Sequence, residues 1–420
     1  MPLPKDFDLN KRPLFESSAE WAAFWTSLSP WFKKQGYALY LPGSQLKELD
    51  ISDGLTSPTC ETPHNLQQFP YAITDPTDVP HTIFNRSSAE VNVPPFLATY
   101  NTGRVFAAQD TLGRHVYIKI VRAKSQEHEV VKLLRVQSST PGVLPILDVI
   151  DYESDYAFVV MPRWGDIPGP SDLFRTVGEA CDFVIDSLRG LRTLHQLRIV
   201  HRDIKINNMV LNHLFYIPAR SKGYAKPFIE MRDSVNHQIQ FAIIDFDFSM
   251  IVPPGTFQLP SDLAWMREYS AMDVAQGELF YDPFAYDVGV LGVAFCEMLQ
   301  HLTPYMPTLA PLLDGMVTHD LKKRFTARQA HDFAVRHLRD LLSTEDLSLR
   351  IDNVPYKTVP WNMYNRWEGL PSHGLQWIDY RLSPLPAWKQ VLRRVCENKK
   401  GMAQVQAMRK SLRVIGIPVS

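Results

Sequence analysis

The sequence predicts an α+β fold in which a small strand-rich lobe precedes a larger, mainly helical lobe. From Pro95 onward, the runs FLATY, RVFAAQ, HVYIKI, VLPILDVID and YAFVVM suit short strands, and SQEHEVVKLLRV, after the third of them, has a helical pattern. After Pro170 the spacing of apolar residues becomes helical, as in EACDFVIDSLRGLRTLHQL and DVGVLGVAFCEMLQHL. This change of period is the reason for predicting two lobes.

The composition is that of an ordinary globular protein, with 45% hydrophobic and 21% charged residues. The formal net charge of −1 disfavours nucleic acid and anionic membranes as partners, since both attract basic surfaces. The first residues lack the apolar centre of a signal peptide, and no run approaches the roughly 18 apolar residues of a membrane span. Four scattered cysteines suit a reducing compartment, so we expect an intracellular protein, cytoplasmic or nuclear.

Tryptophans are concentrated on both sides of the predicted lobes. They are Trp21, Trp25 and Trp31 before them and Trp361, Trp367, Trp377 and Trp388 after them. Large aromatic side chains are rarely left in water. Both flanking segments are therefore expected to dock on the core, and a regulatory partner bound through them is the alternative.

The segment IVHRDIKINNMVL carries the strongest chemical signal, because Asp203, Lys205 and Asn208 follow one another closely in it. Phosphoryl transfer needs a carboxylate that orients the acceptor hydroxyl, a cation near the γ-phosphate and oxygen ligands for Mg²⁺. The spacing HRDxKxxN resembles the catalytic loop of eukaryotic-type protein kinases. The resemblance implies that Asp203 and Lys205 are catalytic and that Asn208 binds metal.

Companion motifs occur in the order that this family has them. Lys119 in VYIKI and Glu129 in EVVKLL resemble the lysine that holds the α- and β-phosphates and the helix glutamate that pairs with it. Asp245 in FAIIDFDFS resembles the metal-binding aspartate of Asp-Phe-Gly. The resemblance therefore implies ATP and Mg²⁺ as cofactors.

The same resemblance implies further contacts with the nucleotide. These are the glycine-rich loop, the strand facing the adenine, the gatekeeper, the hinge and the apolar floor, at Gly103 and Val105, Tyr117, Met161, Arg163 and Val210 respectively. Asp287, Gly292 and Arg324 resemble residues that brace the helical lobe.

The resemblance also sets the expected domain boundaries. A protein kinase domain is predicted at 93–340, with a small antiparallel-sheet lobe carrying one helix at 93–161, a mainly helical lobe at 165–340 and an insertion at about 212–238. An aromatic-rich extension with a Pro-rich linker is predicted at 1–92, and a Trp-containing extension at 341–420.

Several positions depart from the common kinase pattern. Ala98 and Tyr100 stand where glycines are expected, Tyr117 replaces a small alanine, and Asp247 replaces the glycine of Asp-Phe-Gly. No Ala-Pro-Glu precedes Asp287, which leaves Arg324 without its usual glutamate. These traits resemble a divergent protein-kinase-like family expanded in mushroom-forming (basidiomycete) fungi, in which a DFD-type motif replaces DFG.

The expected function is transfer of the γ-phosphoryl group of Mg-ATP to Ser or Thr hydroxyls of protein substrates, since Lys205 favours Ser/Thr over Tyr specificity. The alternative is a pseudokinase that acts as a nucleotide-binding or scaffold module, which Tyr100, Tyr117 and Asp247 motivate. A small-molecule kinase of the aminoglycoside type is a third hypothesis, and Lys205 counts against it. A regulatory partner at the insertion or the extensions stays open.

Overall fold

A computed structural model of the protein describes residues 7–11, 14–40, 55–56, 69–73, 103–167, 174–213, 239–261, 270–351, 354 and 359–416. The predicted strand FLATY and nearly all of the predicted insertion lie outside these residues. The chain divides into two compact units. Unit 1 comprises residues 1–140, 144–167 and 210–247, and unit 2 comprises residues 141–143, 168–209 and 248–420. Helices and antiparallel strands are both present, so the predicted α+β class is confirmed.

Unit 1 is built on five antiparallel strands, with a short sixth strand parallel to the first. The strands are β1 (Tyr37–Tyr40), β2 (Leu55–Thr56), β3 (Val105–Asp110), β4 (His115–Arg122), β5 (Asp148–Tyr152) and β6 (Tyr156–Pro162). Their order in the sheet is β2-β1-β3-β4-β6-β5. The β1 strand comes from the N-terminal segment, yet it pairs directly with β3, with Leu39 opposite Ala108. The N-terminal segment is thus part of this sheet.

Two helices of the N-terminal segment, α1 (Ser18–Ser27) and α2 (Ser29–Lys34), fill the core of unit 1. The Ser17 hydroxyl caps α1 by accepting a hydrogen bond from the Glu20 amide. Trp25 is fully buried and stacks on Phe106, with ring centroids 5.3 Å apart. The expectation that these aromatic residues dock on the core is therefore confirmed, while the domain boundary at residue 93 stays a prediction.

One further helix and a small sheet complete unit 1. The helix α3 (Gln126–Arg135) begins at Ser125, whose hydroxyl accepts a hydrogen bond from the His128 amide. Three short strands, β7 (Gly165–Asp166), β9 (Met209–Leu211) and β10 (Phe241–Ile243), pair in the order β10-β9-β7. Ala242 of β10 belongs to the hydrophobic core that the aromatic residues of α1 also enter.

Unit 2 is mainly helical. Its helices are α4 (Val177–Gln196), α5 (Pro283–Leu299), α6 (Leu309–Val317), α7 (Ala327–His337), α8 (Thr344–Ser348), α9 (Ala387–Val395) and α10 (Lys399–Val414). Single turns of 3₁₀ helix lie at Ile206–Asn208 and Gln300–Leu302, and a longer 3₁₀ segment, kinked at Trp377, lies at Ser372–Tyr380. Two strand pairs also occur, β8 (Ile199–Val200) with β11 (Met250–Ile251), and β12 (Leu259–Pro260) with β13 (Phe280–Tyr281). Of the helices described, none has the length and apolar character needed to cross a bilayer.

The segment after α8 docks on α6 through a buried ion pair. The Arg366 Nε atom lies 2.7 Å from the Asp314 carboxylate, which also accepts hydrogen bonds from the Trp367 indole (2.7 Å) and the Leu382 amide (2.8 Å). Trp361 is buried beside this pair, whereas Trp388 is 58% exposed. The docking expected for the C-terminal tryptophans therefore holds for Trp361 and Trp367 and fails for Trp388.

Candidate functional site

Lys119 of β4 is the centre of a charge cluster in unit 1. Its Nζ atom lies 2.6 Å from Glu127 Oε1, 2.7 Å from Asp245 Oδ1 and 3.0 Å from Asp247 Oδ1. The lysine side chain is only 10% exposed, so these contacts are poorly screened by water. One ammonium group thus faces three carboxylates.

Arg104 supplies a second cation to this cluster. Its Nη1 atom lies 2.9 and 3.1 Å from the two carboxylate oxygens of Asp247, and its Nη2 atom donates to the Leu9 carbonyl oxygen at 2.6 Å. Asp247 is therefore held by Arg104 and Lys119 together. A glycine at this position, as in the common Asp-Phe-Gly motif, would offer neither cation a partner.

The helix glutamate that contacts Lys119 is Glu127, and the prediction of Glu129 is corrected. The Glu129 side chain is 51% exposed and lies near His128. Residues two apart on an α-helix point roughly 200° apart, so only one of the two glutamates can face the sheet. The sequence did contain the signal, because Glu127 shares the helix face of the buried residues Val130, Val131 and Leu134, at spacings i+3, i+4 and i+7.

The close contacts shift the protonation of the cluster. Burial lowers the pKa of Lys119, but the charges of Glu127, Asp245 and Asp247 outweigh it and hold that pKa well above its ordinary value. Burial raises the pKa of Glu127 to about 7, with Lys119 opposing and Asp247 adding to the rise. Burial also acts to raise the pKa of Asp247, yet Lys119, a hydrogen bond from Glu127 and Arg104 together lower it. Near neutral pH, a protonated Glu127 carboxyl group can therefore donate a hydrogen bond to the ionised Asp247 carboxylate.

The same carboxylates form a candidate cation site. Ligand oxygens of Glu127, Asp245 and Asp247 lie within 4.8 Å of one another. Mg²⁺ prefers such oxygen donors, so the donor chemistry fits the metal that the family resemblance implies. A cavity of about 20 Å³ next to them, lined also by Met161 and Phe246, has room for a single water-sized molecule.

Gly103 lies where the N-terminal helices meet β3. Its φ angle is +78°, and a Cβ atom there would lie 2.8 Å from a ring carbon of Phe15. Its carbonyl oxygen accepts a hydrogen bond from the Trp25 indole at 3.0 Å. Glycine is needed here both for the backbone angle and for this close approach. Ala98 and Tyr100 of the predicted glycine-rich loop lie outside the described residues.

The other predicted nucleotide-contacting residues of unit 1 lie on its strands. Val105 is opposite Lys119 between β3 and β4, and Tyr117 is opposite Met161 between β4 and β6. The Arg163 guanidinium carbon lies 5.0 Å from the ring centroid of Tyr117, within cation–π range.

Arg163 has a second aromatic contact, and Val210 lies in the hydrophobic core. Arg163 also lies 5.2 Å from the ring centre of Tyr40 on β1, so the guanidinium joins the rings of two strands. Val210 of β9 is buried and belongs to the core of unit 1.

In unit 2 the three polar residues of the predicted catalytic loop are brought together. Lys205 Nζ lies 2.7 Å from Asp203 Oδ2, and Asn208 Nδ2 lies 3.0 Å from the same oxygen. Asn208 Nδ2 also donates to the Asp203 main-chain oxygen at 2.8 Å. Because the amide donates through nitrogen, its side-chain oxygen is the atom with which Asn208 could bind a metal.

Asp287 of α5 holds this loop in place. Its fully buried carboxylate accepts hydrogen bonds from the His201 amide (2.7 Å) and the Arg202 amide (2.8 Å), and it contacts His195 Nε2 at 3.1 Å. Arg202 has a φ angle of +68°, which is costly for a non-glycine residue. The two amide contacts stabilise that conformation next to Asp203.

The sequence offered no partner for Arg324, but the structure supplies Asp273. The Arg324 guanidinium forms a buried ion pair with Asp273 and donates to the main-chain oxygens of Ala285 (3.1 Å) and Thr318 (3.0 Å). Asp273 escaped notice because a lone aspartate in SAMDVAQ carries no recognisable spacing.

Comparison with known proteins gives partial matches. No family model matches the chain. The chain is 29% identical over 117 residues to the serine/threonine-protein kinase hippo of Drosophila melanogaster, across 26% of this chain and 16% of that kinase. It is 29% identical over 112 residues to cyclin-dependent kinase 7 of Xenopus laevis, across 26% of this chain and 32% of that kinase. The matches support a protein-kinase-like relationship. In both, the chain spans less than a third of its relative's length.

Proposed function

We propose that this chain is a protein kinase that transfers the γ-phosphoryl group of Mg-ATP to Ser or Thr hydroxyls of protein substrates. The observation that carries the proposal is the convergence of Lys205 and Asn208 on the Asp203 carboxylate, next to a backbone fixed by Asp287. The partial similarity to hippo, which is named as a serine/threonine-protein kinase, supports the same reaction class.

The roles we propose for unit 2 follow from the chemistry of its side chains. Asp203 would orient the acceptor hydroxyl and take its proton on a carboxylate oxygen, and Lys205 would place positive charge where the transferred group gains negative charge. Asn208 would bind metal through its side-chain oxygen. Positioning and electrostatics supply the rate enhancement in this class of reaction, so no covalent intermediate on the protein is needed.

The roles we propose for unit 1 concern binding. Mg-ATP supplies the phosphoryl group, and the metal neutralises phosphate charge. Lys119 would contact the α- and β-phosphates, with Glu127 in place of Glu129 as its positioning carboxylate. Asp245 would hold metal, and its oxygen lies beside those of Glu127 and Asp247.

The adenine would lie on an apolar surface of unit 1. The residues that we propose for contacts with the nucleotide there are Gly103, Val105, Tyr117, Met161, Arg163 and Val210. The ring of Tyr117 offers a face on which the base could stack. The Arg163 guanidinium, which contacts the rings of both Tyr117 and Tyr40, would hold the Tyr117 ring in place.

A nucleotide-binding or scaffold pseudokinase is the second candidate, and the charge cluster favours it. Lys119 already has three carboxylate partners, one of them Asp247, which the common kinase motif lacks. Phosphate must displace at least part of that set before it contacts the ammonium group. If breaking these carboxylate contacts costs more free energy than the phosphate contacts contribute, the chain keeps its fold but does not catalyse the reaction.

Transfer of labelled phosphate from [γ-³²P]ATP to a Ser/Thr peptide library decides between the two candidates. We expect Mg²⁺-dependent labelling that Asp203→Asn abolishes, and thermal stabilisation by Mg-ATP that Lys119→Met abolishes. A ligand in hundredfold excess over its dissociation constant stabilises the folded state by about 2.7 kcal/mol, which is easily measured. Stabilisation without labelling would favour the nucleotide-binding pseudokinase. Labelling that persists in Asp203→Asn would refute the assigned role of the carboxylate.

A further inference from the structure

Unit 2 contains an open groove that no part of the proposed reaction uses. It has a volume of about 580 Å³ and lies between the β12–β13 pair and α10. Its lining includes Ser261, Phe280, Gln406, Lys410, Arg413 and Val414. We call it the α10 groove.

The wall of the α10 groove is anchored to the rest of unit 2. Arg409 is buried and donates from Nη2 to the Gln276 main-chain oxygen at 3.1 Å. One turn earlier, Val405 packs directly on Gly277, where any side chain would collide with it. Val405 also shares a small hydrophobic cluster with Cys396. The groove is thus bordered by a helix with a fixed position and does not depend on a loose surface turn.

The groove lies in a strongly basic part of the chain. The helices α9 and α10 and the turn between them carry eight lysines and arginines and one glutamate, although the formal charge of the whole chain is −1. Among the ion pairs of the described residues, none involves Lys410 or Arg413. Glu278, which precedes Leu279 of the lining, accepts hydrogen bonds from the amides of Ala275 and Gln276 and from the Ser261 hydroxyl.

The groove also offers an apolar surface beside the two cations. Phe280 is 40% exposed, and Arg413 lies over its ring at 5.0 Å from the centroid. Val414 is 87% exposed on the same wall. A ligand that satisfies both features carries carboxylates for Lys410 and Arg413 and an apolar side chain for Phe280.

We propose that the α10 groove binds an acidic peptide segment of a partner protein, with Asp or Glu side chains on Lys410 and Arg413 and an apolar side chain on Phe280. An anionic membrane offers similar charge, but a bilayer surface does not enter a concave groove. Peptide binding here goes beyond the proposed phosphoryl transfer and does not rest on it. If the chain also has the proposed kinase activity, a partner bound in the groove is a candidate substrate.

Fluorescence anisotropy with the full chain tests the proposal. The probe is a labelled twelve-residue peptide of Glu and Asp around one central Leu, and the reference peptide has Gln at every acidic position. We expect the acidic probe to bind at least about tenfold more tightly than the Gln peptide, and Lys410→Glu/Arg413→Glu to weaken it by about tenfold or more. Lys399→Glu/Lys400→Glu is the matched control, since it makes the same change of charge on the same helix away from the lining.

Each result supports or overturns the proposal. Equal weakening by the two charge-reversal variants would overturn it, because a diffuse basic surface would then explain the binding. The proposal also fails if the Gln peptide binds as well as the acidic one, or if phosphatidylserine vesicles bind the chain while the peptide does not. Phe280→Ala gives a further check on an exposed side chain, and weaker probe binding is expected. Asp203→Asn should bind the probe normally, which separates this test from that of the proposed reaction.

Discussion

The pair formed by Arg104 and Asp247 gives a direct test of how the charge cluster around Lys119 is held. We consider Asp247→Asn, which keeps the size of the side chain and removes its charge, Arg104→Gln, and the double variant. Asp247→Asn takes the carboxylate partner from Arg104, and Arg104→Gln takes one of two cations from Asp247, which keeps Lys119. Because the side chains of the pair are only 17% and 16% exposed, water replaces the lost contact poorly. The double variant should therefore be more stable than the sum of the two single losses would suggest.

The magnitude follows from the contacts. Hydrogen bonds between charged groups contribute about 1.5–3 kcal/mol each, and Asp247 makes such contacts with Arg104 and Lys119. Part of the free energy lost with the Lys119–Asp247 contact is recovered through Glu127. Burial and the charge of Asp247 both raise the pKa of Glu127, to about 7, and the substitution removes the charge. The pKa of Glu127 then falls, which strengthens its ion pair with Lys119. We expect Asp247→Asn to cost about 2 kcal/mol, with a coupling energy to Arg104 of about 1–2 kcal/mol.

Hydrogen exchange in urea, followed in peptides that cover β3 and β4, measures the stability of unit 1 separately from that of unit 2. Arg122→Gln is the matched control, because Arg122 pairs with Asp8 at 3.2 Å with about half of each side chain in water. It should change stability by less than about 1 kcal/mol. Effects of Asp247→Asn and Arg104→Gln that add within about 0.5 kcal/mol would refute the reasoning, since the two side chains would then act independently.

Three other predictions concern single contacts. Glu127, whose pKa rises from 4.5 to about 7 in the folded state, binds a proton there that the unfolded chain has lost, so its contribution to stability falls as pH rises from 4.5 to 7. Glu127→Gln should flatten the exchange-derived stability of unit 1 over that window by on the order of 1–3 kcal/mol, and an unchanged slope would contradict the assignment. Arg366→Leu leaves Asp314 buried with two donors and no cation, so urea unfolding of unit 2 should show a loss of about 3 kcal/mol, and a loss under about 1 kcal/mol would mean that those donors suffice. Gly103→Ala should destabilise unit 1 by about 1–3 kcal/mol through its φ of +78° and the collision with Phe15, and a melting temperature equal to that of the parent would show that the segment rearranges freely.

Local patterns predicted local structure well. The runs RVFAAQ and HVYIKI became β3 and β4, and the helical spacing of SQEHEVVKLLRV became α3. As the HRDxKxxN spacing predicts, Asp203, Lys205 and Asn208 lie within hydrogen-bonding distance of one another, because they share one short turn of the chain.

Contacts between distant segments escaped prediction. Neither the pairing of β1 with β3 nor the ion pair of Arg324 with Asp273 leaves a periodic signal in the sequence. The choice of Glu127 over Glu129 depends on which face of α3 is buried. Both glutamates lie in the same helical turn, so only the positions of all the apolar residues of the helix identify the buried face. The Arg104–Asp247 pair joins residues 143 positions apart, which no local rule reaches.

The position of β1 has a consequence for how unit 1 assembles. A sheet whose second-outermost strand comes from the far N-terminal segment has a high contact order, and closing the long intervening chain costs entropy before the pairing with β3 gives any return. Phe106 and Phe158 of this sheet pack against Trp25 and Phe32 of the N-terminal segment. A fragment that begins at residue 93 would expose both rings together with the unpaired edge of β3, a combination that favours self-association through strand pairing. The N-terminal aromatic segment thus supplies both the ring partners of Phe106 and Phe158 and the strand that covers the edge of β3.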